Sequence, residues 1–307
     1  MQSVISGFIP IWAVTAAGWG AGRTGVLGPR AQPVLARFAF TCAMPALLFL
    51  TLSQAPLHKV ADPGVAVFAL SLLLVFAAAL LLCRLLWPMR PADRAVNAMA
   101  ASYVNSANLG IPVALGVLGD TSFIAAAAVF QMLVVTPLIM VIIELDAHRS
   151  APGRRRRLLQ LPLRNPVIGS AAAGVAVSAA GWRLPGVVVQ PLHMIGGAGV
   201  PTALFALGMS LNTRLVPDIK GLAERLVLVA LKVAVQPAAA YALGRWAFGL
   251  DRHALLAVTL CAGLPTAQNA FVYAAEYRLR TDVARDAVVW STLLSFGTLS
   301  LITWLLA

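Results

Sequence analysis

Asn105-Ser106-Ala107-Asn108-Leu109-Gly110-Ile111-Pro112 sits in the middle of an apolar segment long enough to cross a bilayer. A carboxamide stranded in hydrocarbon costs roughly 2 to 7 kcal/mol. Pro112 has no N–H to offer the carbonyl of Asn108, four residues back. Irregular backbone persists at membrane depth only where protein or a water-filled cavity surrounds it. The stretch therefore reads as a site and not as a plain span. A second interrupted stretch, Cys261-Ala262-Gly263-Leu264-Pro265-Thr266-Ala267-Gln268-Asn269, falls mid-span in the other half of the chain.

The chain around these stretches is a membrane protein by composition. Of its 307 residues 60% are apolar and 11% charged, with a mean hydropathy of +0.85; a soluble domain carries about 25% charged residues. Hydropathy and the punctuation by Arg and Pro predict ten spans, at 3–22, 33–53, 63–87, 95–118, 121–145, 165–182, 187–211, 222–246, 253–277 and 284–306. The expected fold class is thus all-α and polytopic. Residues 1–147 hold five spans, 148–164 form a basic cytoplasmic linker, and 165–307 hold five more. The apolar stretch from Val4 to Gly20 reads as a retained first span, not a signal peptide.

Charge supports the same alternation. Of 23 Lys and Arg, 18 fall on one side of these spans and four on the other, with Lys232 inside a span. Basic loops stay cytoplasmic, so both termini are expected in the periplasm. The net charge of +12 then needs no nucleic-acid partner. The run Arg154 to Arg157 is either a solvated linker or a contact to anionic lipid. Cys42, Cys83 and Cys261 lie in apolar segments without paired spacing, as reduced packing residues and not metal ligands. An intramembrane enzyme would need paired mid-span Asp, a His-Glu-x-x-His set, or Ser with a mid-span His. Only His193 falls in a span, so no catalytic residues, metal site or cofactor are expected.

The halves repeat. Pro45-Ala46-Leu47-Leu48-Phe49 matches Pro201-Thr202-Ala203-Leu204-Phe205, and Gly110-Ile111-Pro112 matches Gly263-Leu264-Pro265, at offsets of 156 and 153. With five spans each, homologous halves must be inverted. Interrupted segments at corresponding positions of two repeats are the sequence mark of a transporter's binding site. At Asn105 to Pro112, Asn165-Pro166-Val167-Ile168, Gly199 to Gly208 and Gly263 to Phe271, the chain resembles the auxin efflux carrier family, which includes the plant PIN proteins and bacterial malonate or malate carriers. The resemblance implies broken, crossing spans four and nine. It implies a scaffold of spans one, two, six and seven beside a moving domain of spans three to five and eight to ten. It further implies elevator-like alternating access and a place in the bacterial inner membrane, and it is compatible with a homodimer.

The crossing is suited to an anion. Pro112 and Pro265 are placed to open new half-helices, whose free N–H groups and positive dipole ends attract a carboxylate; the alternative is that both prolines are mere kinks. The expected substrate-binding residues are Asn105, Asn108, Gly110, Pro112, Gly263, Pro265, Thr266, Gln268 and Asn269, with Ser106 as a secondary donor. Gln131 either faces the same cavity or bonds helices together. Lys232 either snorkels, pairs with backbone carbonyls at the crossing, where related folds hold sodium, or attracts substrate. No acid lies at the centre of a span, with Glu144 and Glu276 near span ends, which weakens cation coupling. The expected function is export of a small organic anion, a mono- or dicarboxylate such as malate, malonate or an auxin-like acid. A sodium- or proton-coupled symporter of bile-acid type and a transporter-like sensor remain as alternatives.

Overall fold

The computed structural model describes residues 2–54, 62–147, 165–212 and 219–306. The linker expected at 148–164, with its Arg154 to Arg157 run, lies outside them. Twelve helices are formed among the described residues. In the first half they are α1 (Gln2–Thr24), α2 (Ala31–Ser53), α3 (Pro63–Leu86), α4 (Pro91–Ser102), α5 (Ser106–Val117) and α6 (Ser122–Asp146). The second half contributes α7 (Pro166–Ala179), α8 (Gly186–Ser210), α9 (Gly221–Ala247), α10 (Arg252–Ala262), α11 (Asn269–Glu276) and α12 (Thr281–Leu306). Six of them, α2, α3, α6, α8, α9 and α12, are 23 to 27 residues long and apolar enough to cross a membrane. The protein is therefore an all-helical membrane protein, and its one β-type pairing among the described residues is the bridge between Val104 and Thr266.

Local chemistry sets where helices begin and bend. Asp62 accepts from the N–H of Gly64 at 2.8 Å ahead of Pro63, and Asn165 accepts from Val167 and Ile168 at 3.0 and 3.3 Å ahead of Pro166. In both, an Asx side chain satisfies free N–H groups while Pro occupies a position that needs none. Inside helices, Pro45, Pro112, Pro137 and Pro237 each follow a widened, π-helical turn, at Ala39–Ala43, Ser106–Gly110, Gln131–Val135 and Leu231–Val235. A proline ring clashes with the carbonyl four residues back, and one turn of longer-range bonding absorbs the clash without ending the helix.

Packing divides the helices into two sets. In one, α1 lies along α8 and α7 lies along α2, with α2 and α8 also in contact. In the other, α3 packs on α4 and α10, α9 on α4 and α10, and α12 on α10 and α11. Links between the sets are fewer, chiefly α1 with α5 and α11 with α2. The closest approach is between α1 and α8. A methyl at Gly18 would lie 2.1 Å from the carbonyl oxygen of Phe205, and one at Gly208 would lie 2.0 Å from that of Thr15. Small residues let backbones meet where lipid offers no hydrophobic drive for association.

Left-handed backbone closes several helices, at Gly25, Gly28, Gly119, Gly181 and Gly249. Among the described residues Arg278, at φ 52°, is the non-glycine in that conformation. It follows α11 in a Schellman ending, with Leu279 N–H bonding Ala274 O at 2.8 Å and Arg278 N–H bonding Ala275 O at 3.3 Å. Such a backbone costs an L-residue roughly 1 to 2 kcal/mol.

Gly18→Ala and Gly208→Ala are expected to lower stability in detergent by about 1 to 3 kcal/mol each, the usual cost of overpacking. Gly20→Ala, with nothing within 4 Å of the added methyl, is the neutral control. Thermal unfolding of the three variants checks this, and equal midpoints would remove the claim for the α1–α8 seam.

Candidate functional site

Two helices of the second set are broken, and their breaks are paired. After α4 the chain runs extended through Tyr103, Val104 and Asn105; after α10 it turns at Gly263 and runs extended through Pro265, Thr266 and Ala267. Asn105 N–H donates to Pro265 O at 2.8 Å, and Ala267 N–H donates to Tyr103 O at 3.1 Å. The two breaks thus satisfy part of each other's backbone.

Side chains from flanking helices satisfy more of it. Gln131 of α6 accepts from Val104 N–H at 2.8 Å and donates to Val104 O at 3.3 Å and to Ser106 Oγ at 2.9 Å. Ser291 of α12 accepts from Thr266 N–H at 3.0 Å. Thr266 Oγ1 donates across to Ala100 O at 2.5 Å. Gln131, Thr266 and Ser291 are fully buried. Of the alternatives for Gln131, bonding of the helices is the one found, and Thr266 is likewise committed to backbone.

Lys232 is fully buried and does not snorkel. Its ammonium donates to Ala262 O at 2.9 Å and Gln236 Oε1 at 2.6 Å, and Gln236 Nε2 donates to Ser102 O at 2.9 Å. Ala262 and Ser102 are the last residues of α10 and α4, so one Lys–Gln pair meets the negative ends of both broken helices. Gln236 and Ser291 were missed in the sequence. The four-residue spacing from Lys232 was the available signal for Gln236, whereas a lone Ser carries none.

The opposite ends of the breaks face a cavity of about 50 Å³. Asn105, Asn108, Gln268 and Asn269 line it, at the start of α5 and α11. Its wall is completed by residues of α2 and α8, among them Met44, Leu48 and Val200, together with Tyr103 and Tyr273. Asn105 Oδ1 accepts from Asn108 N–H at 3.4 Å. The side-chain amides of Asn108, Gln268 and Asn269 have no partner among the described residues, and Gln268 Oε1 is buried without one. Among the described residues no acid lines the cavity. The buried acids of the described residues lie elsewhere: Asp93 pairs with Arg90 at 3.3 Å, Glu224 pairs with Arg280 at 2.6 Å and accepts from Asn97 at 2.6 Å, and Asp286 pairs with Arg225 at 2.6 Å and Arg285 at 2.7 Å.

Pro265 is not where the sequence reading put it, whereas Pro112 is the second residue of an α-helical stretch, Ile111–Val117. α5 starts at Ser106, capped by Asn105, and Pro112 stands behind a π-helical turn and lines a separate groove of about 370 Å³ with Asn108, Pro10 and Pro201. Pro265 is in the extended stretch, and α11 starts at Asn269. The helix starts are nevertheless at the crossing, because the break in each helix precedes or includes its proline. Gly110 and Gly263 make room for neighbours: a methyl would lie 2.8 Å from Ile124 Cγ2 and 2.7 Å from Ile302 Cδ1, respectively.

Apolar helices that break at membrane depth around a cavity lined by uncommitted carboxamides make a membrane transporter. The chain belongs to the membrane transport protein family, that of the auxin efflux carriers, whose model matches residues 3–303. It is 28% identical over 282 residues to "Putative malonate transporter" of Rhizobium meliloti (strain 1021), covering 88% of this chain and 85% of that one. It is 26% identical over 289 residues, 90% of both chains, to "Uncharacterized transporter" of Methanothermobacter thermautotrophicus. "Auxin efflux carrier component 5" of Arabidopsis thaliana is 27% identical over 232 residues, 64% of this chain and 65% of that one. The family and these relatives are transporters, not enzymes.

Lys232→Arg and Lys232→Ala are expected to abolish flux while the protein still inserts. A guanidinium is too broad for the two-acceptor seat of a compact ammonium, and Ala leaves Ala262 O unpaired. Flux at the native rate in the Arg variant, measured beside membrane expression, would show that the charge alone suffices.

Proposed function

We propose that the protein exports a small organic anion, a mono- or dicarboxylate, through the crossing of the two broken helices. The polarity of that crossing carries the reading. Its helix C-termini are closed by Lys232 and Gln236, while the starts of α5 and α11 and three uncommitted carboxamides face the cavity. Free N–H groups and amide donors stabilise negative charge there without a buried Arg. The name of the Rhizobium meliloti relative agrees with a dicarboxylate. Lys232 already fills the carbonyl seat at the crossing, and no acid lines the cavity, which favours transport without a cation bound at either place.

In this reading the twelve helices make ten spans, with α4–α5 as the fourth and α10–α11 as the ninth, and the halves are inverted repeats. Reciprocal packing supports this: α1 on α8 is matched by α7 on α2, and α3 on α10 by α9 on α4. Gln131 holding Val104 is likewise matched by Ser291 holding Thr266. The set α1, α2, α7, α8 is the scaffold and the other set the moving body, whose travel alternates access in the manner of an elevator. The membrane is the bacterial inner membrane, with both termini periplasmic.

Reconstitution into liposomes tests the substrate reading, with labelled malonate, malate, succinate, indole acetate and neutral solutes, with and without sodium and pH gradients. Asn108→Ala and Asn269→Ala each remove a donor to a charged group, about 1.5 to 3 kcal/mol. The half-saturating concentration should rise roughly ten- to a hundredfold. Neutral solutes carried in place of anions, or native affinity in both variants, would sink it. Dependence on a sodium gradient would move the protein to the symporter class, and specific binding without flux would make it a sensor.

Topology has its own test. Reporters fused after Gly153 and after Ala307 should report opposite compartments, the first cytoplasmic. Agreement between them would refute the ten-span reading.

A further inference from the structure

A larger cavity, of about 790 Å³, opens between the two helix sets on the face of the basic loops. It is bounded by the α1–α2 turn at Gly25 and Gly28, the end of α8 at Ser210, and the α11–α12 turn. Three charged residues line it. Asp282 is bonded to Arg225, and Arg285 to Asp286 and the carbonyl of Ser210. Arg278 is exposed and has no ion pair or side-chain hydrogen bond among the described residues. It is also the residue held in the left-handed backbone that glycine fills at each other such place described. A Schellman ending asks for Gly there, so the arginine stands against its local preference, and strain of this kind points to a use for the side chain.

α11 connects this cavity to the crossing, with Asn269 at its start lining the inner cavity and Ala275 near its end lining the outer one. Between them Phe40 of α2 meets Tyr273 and Tyr277 edge-on at 5.6 Å each. Asn165 Nδ2 donates to Tyr277 Oη and Tyr277 Oη to Glu144, each at 2.8 Å. Tyr273 lines the inner cavity, so this aromatic layer borders it.

The geometry points to a second anion site in the outer cavity, where Arg278 holds the carboxylate of the substrate before the Phe40–Tyr273–Tyr277 layer parts. This rests on the proposed organic-anion function and adds to it a place of capture. Its ligand is the same carboxylate, bound through a guanidinium in a wide, half-open chamber and not through amides in a narrow one. Among the described residues that line the chamber, an anion arriving at the basic face meets one unpaired cation, since the other arginine is already bonded to a carboxylate and a carbonyl.

Arg278→Gly separates the site from the fold, because glycine relieves the backbone while removing the charge. In vesicles of defined orientation, the half-saturating concentration for labelled malonate presented at the basic face should rise about three- to tenfold in Arg278→Gly and Arg278→Gln, as fits one partly screened charge. Arg278→Lys should restore it, uptake from the opposite face should not change, and the Gly variant should unfold no earlier than the native protein. An unchanged concentration dependence in Arg278→Gly, or an equal rise from both faces, overturns the site. A second readout needs no flux: with Cys42 replaced by Ser, a cysteine introduced by Thr281→Cys should react faster with an anionic than a cationic thiol reagent, and malonate should protect it. Both effects should vanish in Arg278→Gly. Protection without malonate transport would sink the export function and leave this site standing, and transport without protection would do the reverse.

Discussion

Backbone polar groups inside a bilayer have no water to turn to, and the whole arrangement follows from how this chain satisfies them at two broken helices. The Val104–Thr266 bridge pairs the breaks with each other. Because each break satisfies only part of the other, helices on either side must supply the rest. Gln131, Ser291, Lys232 and Gln236 are those supplies, and they are drawn from α6, α12 and α9. Removing one strands a buried donor or acceptor, at about 1 to 3 kcal/mol. These bonds tie the two broken helices to α6, α9 and α12.

The same bonds make the site polar in one direction. Helix ends carry opposite partial charges, and at a crossing of two broken helices two negative and two positive ends converge. The Lys232 ammonium meets the negative ends. The positive ends are left to the cavity, whose apolar wall comes from the other helix set. Any relative movement of the sets would change what covers Asn108 and Asn269. Between α1 and α8 the backbones touch and the first set is locked, whereas the two sets meet mostly through side chains such as Phe40 against Tyr273.

Most of the helix order was legible in the sequence, because spans, Asx-Pro starts and mid-span interruptions are local features. Asn165-Pro166 and Asp62-Pro63 announce helix starts by their own chemistry. At Pro265 the reading erred for a local reason as well. A proline in a helix has two outcomes, a new start or a widened turn, and which occurs depends on whether a neighbouring chain takes up the freed carbonyls. At Pro112 the π-helical turn absorbs the clash, whereas Pro265 stands in extended chain and its own carbonyl accepts from the N–H of Asn105, 160 positions earlier.

By itself the sequence determined that this is a polytopic helical membrane protein of the auxin efflux carrier family, with its polar residues concentrated at two mid-membrane interruptions. These are consequences of composition and of short stretches that each carry their own signal. Only the tertiary structure decided how the polar residues divide their roles. Gln131, Thr266 and Lys232 bind backbone, while Asn108, Gln268 and Asn269 stay free for the cavity. A carboxamide or an ammonium has the same donors wherever it stands, so its role is set by which acceptors the fold brings within about 3 Å, and those acceptors come from the far half of the chain.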